Sequence, residues 1–509
     1  MTNLRKNFAR ELPEEIAEAK VEIEALARSY GLDFFDTVYV MCNWEEINML
    51  ASYGGFPTRY PHWRFGMDYI QQSKSYEYGL SKIYEMVINT DPSYAYLLDN
   101  NLVVDQKLVM AHVYGHVDFF KNNLWFAHTN RKMLDQMANH SAKVRRIRDV
   151  QGETAVEQWI DICLSLDNLV DPFADHIVRT STPSTEEDIE NAERQGTGKI
   201  KTDRDYMEDY INPPEFLEAQ RKKREAEIAR MRSFPEEPVR DVLGFLLENA
   251  PLKRWQHQIL EIIRAEAMYF APQGQTKVMN EGWASFWHTK LMTEHILSDS
   301  EVIDFADHNS GTMAMRPGQF NPYKLGVELW RHIRERWDKG QYGKDWMECT
   351  DERDRKVWDT EAGLGMEKVF QVRRTHNDIT FLDEFLTEDF VQKHGIFTTR
   401  FDPYSKMWVM DSREFKEVKS GLLSMLSSRG TPRVYVVDAN AYNRGELVLE
   451  HKHDGRDIKV AWAERTLSNL VKVWGRPVHL RTQVEGEPTS ISHDGHSVTY
   501  EGWDPSMGD

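Results

Sequence analysis

Residues 111–123, Ala-His-Val-Tyr-Gly-His-Val-Asp-Phe-Phe-Lys-Asn-Asn, constrain this chain more than any other stretch. They lie in an apolar segment that predicts a helix over about 103–123. At 3.6 residues per turn His112 and His116 share one face, one turn apart. That is the spacing by which a helix offers two imidazoles to one metal ion, as in His-Glu-x-x-His, but Val113 stands in the Glu slot. The same stripe runs on through Phe119 to Asn123, whereas Asp118 points elsewhere. Asn123 is therefore the expected support for the histidines. The pair also has a plainer reading, as two core histidines hydrogen-bonded to backbone.

Two later segments could complete such a site. Residues 251–270 predict a strong helix with an apolar stripe of Leu252, Trp255, Ile259, Ile263 and Phe270. Glu266 projects within that stripe. A carboxylate there is costly unless it is paired, hydrogen-bonded or metal-bound, and a buried ion pair with an arginine is the alternative. Residues 279–288, Met-Asn-Glu-Gly-Trp-Ala-Ser-Phe-Trp-His, place Glu281, Ser285 and His288 on one helical stripe. Glu281 could supply the third ligand of a two-histidine, one-carboxylate site for zinc or another divalent metal. His308 and Tyr323 are further site-lining candidates, with helix-cap and turn roles as the alternative.

Composition narrows the function classes. The formal net charge of −19 argues against nucleic-acid or anionic-membrane binding as the main activity. Three cysteines, Cys42, Cys163 and Cys349, stand far apart, which fits a reducing compartment and no disulfide framework. No apolar run is long enough to span a bilayer and the N-terminus lacks a signal-peptide pattern, so a cytoplasmic protein is expected. Residues 54–66 read as an aromatic loop, either packed on the core or facing a substrate as a lid. Residues 181–205 read as a polar excursion, and 215–232 as a charged surface or partner-binding helix. Near residue 400 the texture changes. Strands are expected at 406–411, 432–438, 446–452, 477–483 and 497–501, and helices at 413–428 and 463–474. That β-α-β-β-α-β order predicts a small ferredoxin-like α/β domain, with Asn443-Arg444-Gly445 as a hairpin turn.

The segments His112–Asn123, Val278–His288 and Asn321-Pro322-Tyr323-Lys324-Leu325-Gly326 resemble the SpoVR (stage V sporulation protein R) family. The resemblance runs over nearly the whole chain. It implies a cytosolic bacterial or archaeal protein, linked to spore cortex formation in spore formers. It also implies a serine protein kinase system as partner, since a gene for such a kinase often stands beside the family's own. A second resemblance is local. Asn280-Glu281-Gly282-Trp283-Ala284 is similar to the Asn-Glu-Gly-Phe-Ala motif of gluzincin metallopeptidases, whose Glu completes a zinc site. Carried over, it implies His112, His116 and Glu281 as ligands. Two features depart from that pattern: Val113, and an interval from His116 to Glu281 long enough to require an inserted helical region.

The expected fold is mainly α. A large helical zincin-like body spans 1–400 and a small C-terminal α/β domain spans 401–509. The expected function is metal-dependent hydrolysis of an amide bond in a peptide or peptidoglycan-related substrate. Glu266 is the first candidate to replace the missing general base and His288 the second. The rival reading is a non-catalytic zincin-like regulator or scaffold, with helix 215–232 and the C-terminal domain binding partners and the kinase system as its associate.

Overall fold

The computed structural model describes residues 12–77, 85–177, 186–194, 213–314, 320–402, 404–428 and 431–504. The chain is mostly helical, with its longest run of strands at the C-terminal end. It divides into two compact units, one made of residues 1–151 and 269–430, the other of 152–268 and 431–509. The division falls at 430/431, and the second unit takes in 152–268 as well. The polar excursion 181–205 lies outside the described residues except for a helix at Glu186–Arg194. The charged segment forms a helix at Pro214–Arg232.

The first unit is built on helices α1 (Glu14–Ser29) and α2 (Val103–Asn122) and a three-stranded sheet. From Leu108 to Phe120 every residue of α2 is buried. A helix apolar on all sides has to be central, and α2 is packed accordingly. Ile16, Ala19, Ile23 and Ala27 of α1 share its core. So do Tyr39, Ala95 and Leu97 of strands β1 (Thr37–Cys42) and β3 (Ser93–Leu98), which pair in parallel. Strand β2 (Glu85–Ile88) pairs antiparallel with β3 and forms the sheet's edge. The aromatic loop is packed rather than open: Phe56 and Tyr60 are fully buried, and Phe56 meets Tyr269 edge-on at 5.7 Å.

Helix α3 (Lys277–Leu291) crosses α2 where neither side has bulk. A Cβ placed on Gly115 would stand 2.7 Å from Ala284 Cα. After α4 (Val302–Met313), helix α5 (Pro322–Asp338) crosses α3 just as closely: a Cβ on Gly282 would stand 2.5 Å from Gly326 Cα. Buried polar groups fix the same helices. Asp118 of α2 accepts from Arg373 Nη1 of α6 (Gly365–Thr375) at 2.6 Å, from Trp283 Nε1 of α3 at 2.8 Å and from Asp33 N at 2.8 Å. Burial pushes the Asp118 carboxyl up to about 6, against the pull of Arg373. Asp378, opening α7 (Asp378–Phe385), accepts from the backbone N–H groups of Val278 and Met279 at 2.9 Å each, and so caps α3 from outside. Its burial raises that carboxyl to about 7.

The expected β-α-β-β-α-β unit is not what forms. Its first strand becomes half of a separate hairpin, β4 (Thr399–Asp402) with β5 (Met407–Met410). Its first helix, α8 (Phe415–Ser428), packs on α7, and its Val418 joins the first unit's core. The second unit instead carries a five-stranded sheet of β6 (Val434–Ala441), β7 (Glu446–His451), β8 (Val478–Val484), β9 (Glu487–His493) and β10 (Val498–Gly502). The order is β10-β9-β8-β7-β6. Only β7 and β8 pair in parallel, and helix α9 (Val460–Trp474) is the crossover such a pair needs. The β6–β7 turn holds Asn443 at φ 55° and Gly445 at φ 67°. Strand β9 escapes sequence reading because Pro488 and four polar residues leave only Ile491 and His493 buried. No helix among the described residues is long and apolar enough to cross a membrane.

Two outcomes are expected. Gly115→Ala forces α2 and α3 apart and should destabilise the chain by about 1–3 kcal/mol, read as a lower melting temperature with zinc absent. An unchanged melting temperature would show that the crossing can relax. The second concerns His332 of α5, whose imidazole burial pushes down from 6.5 to about 4, with Arg336 adding to the effect. It folds neutral, so its contribution is complete above 6.5 and is lost as pH falls from there toward 4. The urea midpoint of the wild type should drop over that window more steeply than that of His332→Gln. Parallel curves would refute the assignment.

Candidate metal centre

The crossing of α2 and α3 brings three donors to one place. Glu281 Oε2 lies 3.4 Å from His116 Nε2 and 3.7 Å from His112 Nε2. The ligand atoms of all three residues fall within 4.8 Å of one another. Donors around a tetrahedral ion with bonds of ~2.0–2.2 Å stand ~3.3–3.6 Å apart. The two separations from Glu281 sit at or just above that spacing. Glu281 Oε2 is buried with no hydrogen-bond partner among the described residues, a costly state for a carboxylate that no cation meets. Two imidazoles and one carboxylate are also a known donor set for catalytic zinc. These residues fit a divalent cation.

The surroundings orient the donors. Burial acts to raise the Glu281 carboxyl, but the two imidazoles and Lys277 outweigh it and hold it well below the ordinary carboxylate range. Lys277 Nζ stands 3.3 Å from Oε1, leaving Oε2 for the histidines. His116 Nδ1 lies 2.9 Å from Asn280 Oδ1. His112 Nδ1 lies 2.7 Å from His288 Nδ1, and the Tyr323 ring stacks on His112 with centroids 6.3 Å apart. His308 Nδ1 meets Asp105 Oδ1 at 2.7 Å, both side chains being largely buried.

A cavity of about 420 Å³ joins these groups. His112, His116, Glu281, His288, His308 and Tyr323 all line it, as do Met86 and Val87 of the edge strand β2. Glu266 is buried on its helix, Arg254–Gln275, in the part counted with the second unit, and Gln273, counted with the first, lines the cavity. One expected residue does not line it. Asn123 stands just beyond the end of α2 with extended backbone, φ −79° and ψ 134°, where helical counting no longer applies. Its Nδ2 donates to the carbonyls of Arg373 and His376, and its Oδ1 caps Trp125. Val113 points into the core and does not line the cavity. Sequence reasoning missed Asp105, Lys277, Asn280 and Asn309. Asp105 stands two turns before His112 on the same face, and Asn280 adjoins Glu281, so those two were within reach of the pattern.

Residues 11–431 match the family described as SpoVR like protein, and residues 432–485 match the one described as SpoVR-like C-terminal domain. The chain is 28% identical over 512 residues to a protein of Escherichia coli (strain K12) named "Uncharacterized protein YcgB". That alignment covers 96% of this chain and 94% of the relative. No solved structure matches it.

A glutamate restored at position 113 would enter the core, not the cavity. Val113→Glu should therefore cost several kcal/mol, by the order of burying an unpaired charge, and should lower or abolish the cooperative melt. A Val113→Glu protein as stable as the wild type would mean that this position reaches water.

Proposed function

The chain belongs to the SpoVR family, and from that premise we propose that it is a metal-dependent hydrolase acting on an amide bond of a peptide or peptidoglycan-related substrate. His112, His116 and Glu281 hold one divalent cation, zinc by the chemistry of the donors. The observation that carries the reading is the convergence of their donor atoms on one wall of a cavity, with a buried carboxylate oxygen aimed at both imidazoles. A cation on such a set supplies Lewis acidity and an activated water near neutral pH.

The rest is done by the chain's own residues. With Val113 in the core, we assign the proton-transfer role to His308 of the cavity wall. Asp105 holds its Nδ1, which orients the ring as a base is oriented in a hydrolytic triad. His308 takes a proton from the attacking water and returns it to the leaving amine nitrogen, so the chain ends the cycle unchanged. The edge strand β2 lines the same cavity with Met86 and Val87, and a strand edge without a pairing partner among the described residues suits an extended backbone.

The buried Val113 also supports a second reading, in which the cation only stiffens a regulatory platform. Elemental analysis and activity separate the two. One equivalent of zinc per chain is expected, lost in Glu281→Gln. On a substrate found by screening peptides and cortex fragments, His308→Gln should keep its zinc and lose about 10²–10⁴-fold in kcat. A wild-type protein that takes no metal ends both readings. Full zinc with unaltered turnover in His308→Gln removes His308 from the mechanism, and zinc without turnover on any fragment favours the platform.

A further inference from the structure

A cavity that receives an amide also faces the groups attached to it, and its charge decides which of them can enter. The chain as a whole is acidic, with a formal net charge of −19. The cavity at the candidate metal centre does not share that character. Its described lining residues include one carboxylate, Glu281, and one ammonium, Lys277, with no aspartate and no arginine. Glu281 is already committed, since its Oε2 faces both imidazoles and a cation held there takes up its charge. The Asp378 carboxyl feels Lys277 as well, but it is buried against the first turn of α3 and does not line the cavity. A divalent cation, Lys277 and Glu281 together leave the cavity net positive. In a cleft walled by protein such a charge is focused on whatever enters.

We infer that the substrate carries a carboxylate on a residue adjoining the scissile amide, and that Lys277 selects it. The inference rests on the metal reading above and names the class of substrate for that same site. Lys277 is the first residue of α3, and its side chain lines the cavity while 58% exposed, so an incoming group can reach it. Its Nζ stands 3.3 Å from Glu281 Oε1. An ammonium has three N–H groups, and that contact uses one. The others can donate to a carboxylate in charge-assisted hydrogen bonds. The same distance fixes where the carboxylate belongs. An extended chain advances about 3.3–3.6 Å per residue, and Nζ is within one such step of a ligand side chain. A carboxylate on Nζ therefore belongs to a residue next to the amide and not to a remote one. Gln273 lines the same cavity four residues earlier and brings an amide donor, not a competing acid. The α-carboxylate of a chain end and the carboxylate of a side chain both meet this description.

The test measures binding, not turnover, on the full chain. Zinc is titrated first, against a chromophoric chelator. Calorimetry on the zinc-loaded chain then compares hydroxamates, which chelate zinc and carry a second group on one to three methylenes. In one set that group is a terminal carboxylate or its carboxamide. In the other it is an aspartic or asparagine α-amide, so that the sole carboxylate is a side chain. At one length or more, the wild type should prefer the carboxylate about tenfold. That is the lower end for a hydrogen bond to a charged group, because the lysine is more than half exposed. Preference in the first set marks a chain end as the group selected, and preference in the second marks a side chain. Lys277→Met should abolish the preference and leave zinc affinity within a few-fold. Should Lys277→Met fail to fold, Lys277→Gln is read in the same way. A zinc-loaded wild type without preference at any length in either set overturns the inference and spares the metal reading. So does a preference that survives in the variant. Equal loss for carboxylate and carboxamide probes, with zinc affinity falling alongside, also overturns it, since Lys277 would then serve only to orient Glu281. A chain that takes no zinc ends the metal reading and this inference with it, and the first titration shows which case applies.

Discussion

Everything at the candidate centre depends on how closely α2 and α3 approach. Gly115 lies against Ala284, and one methyl group more would not fit. Gly282, two residues before Ala284 on α3, makes the same allowance for α5. Three helices can then meet with their backbones nearly touching. The candidate ligands sit beside these contacts: His116 follows Gly115, and Glu281 precedes Gly282. A carboxylate side chain is short, and it spans the gap to two imidazoles only because the glycines remove the bulk that would hold the helices apart.

Close approach alone does not set register, and the buried polar groups do. Asp118 engages Arg373 and Trp283 at once, tying α2, α3 and α6 at one height. Removing one partner of a buried pair typically costs ~3–5 kcal/mol, against ~0–1 kcal/mol for an exposed one. Lys277 with Glu281 is of the second sort on the lysine side, 58% exposed, so its effect is on the direction of the carboxylate and not on the stability of the fold. Asp378 does for the start of α3 what a local cap would have done. Thr276 stands at the N-cap position without capping, and the remote carboxylate takes its place.

The cavity joins a polar floor to an apolar edge. Donors and their partners come from α2 and α3, the His308 pair adds a group able to move protons, and β2 contributes Met86 and Val87. The departure from the usual zinc-peptidase pattern is local. One position, Val113, faces the core instead of the site.

What the sequence determined by itself was periodic and short-range. The four-residue spacing of His112 and His116, the all-apolar run around them, and the stripe holding Glu281 and His288 follow from 3.6 residues per turn, and helix geometry does not depend on what lies outside the helix. Tertiary structure decided whatever needs a position in space. It carried Asn123 past the helix end, where the stripe ceases to exist. It assigned α8 to the first unit although its pattern reads like the helix of a small sandwich, because an amphipathic face does not say which core it will cover. His308 and Asp105, 203 residues apart, show the same limit. Each was a polar residue on a helix, and only the packing of α4 against α2 made them a pair.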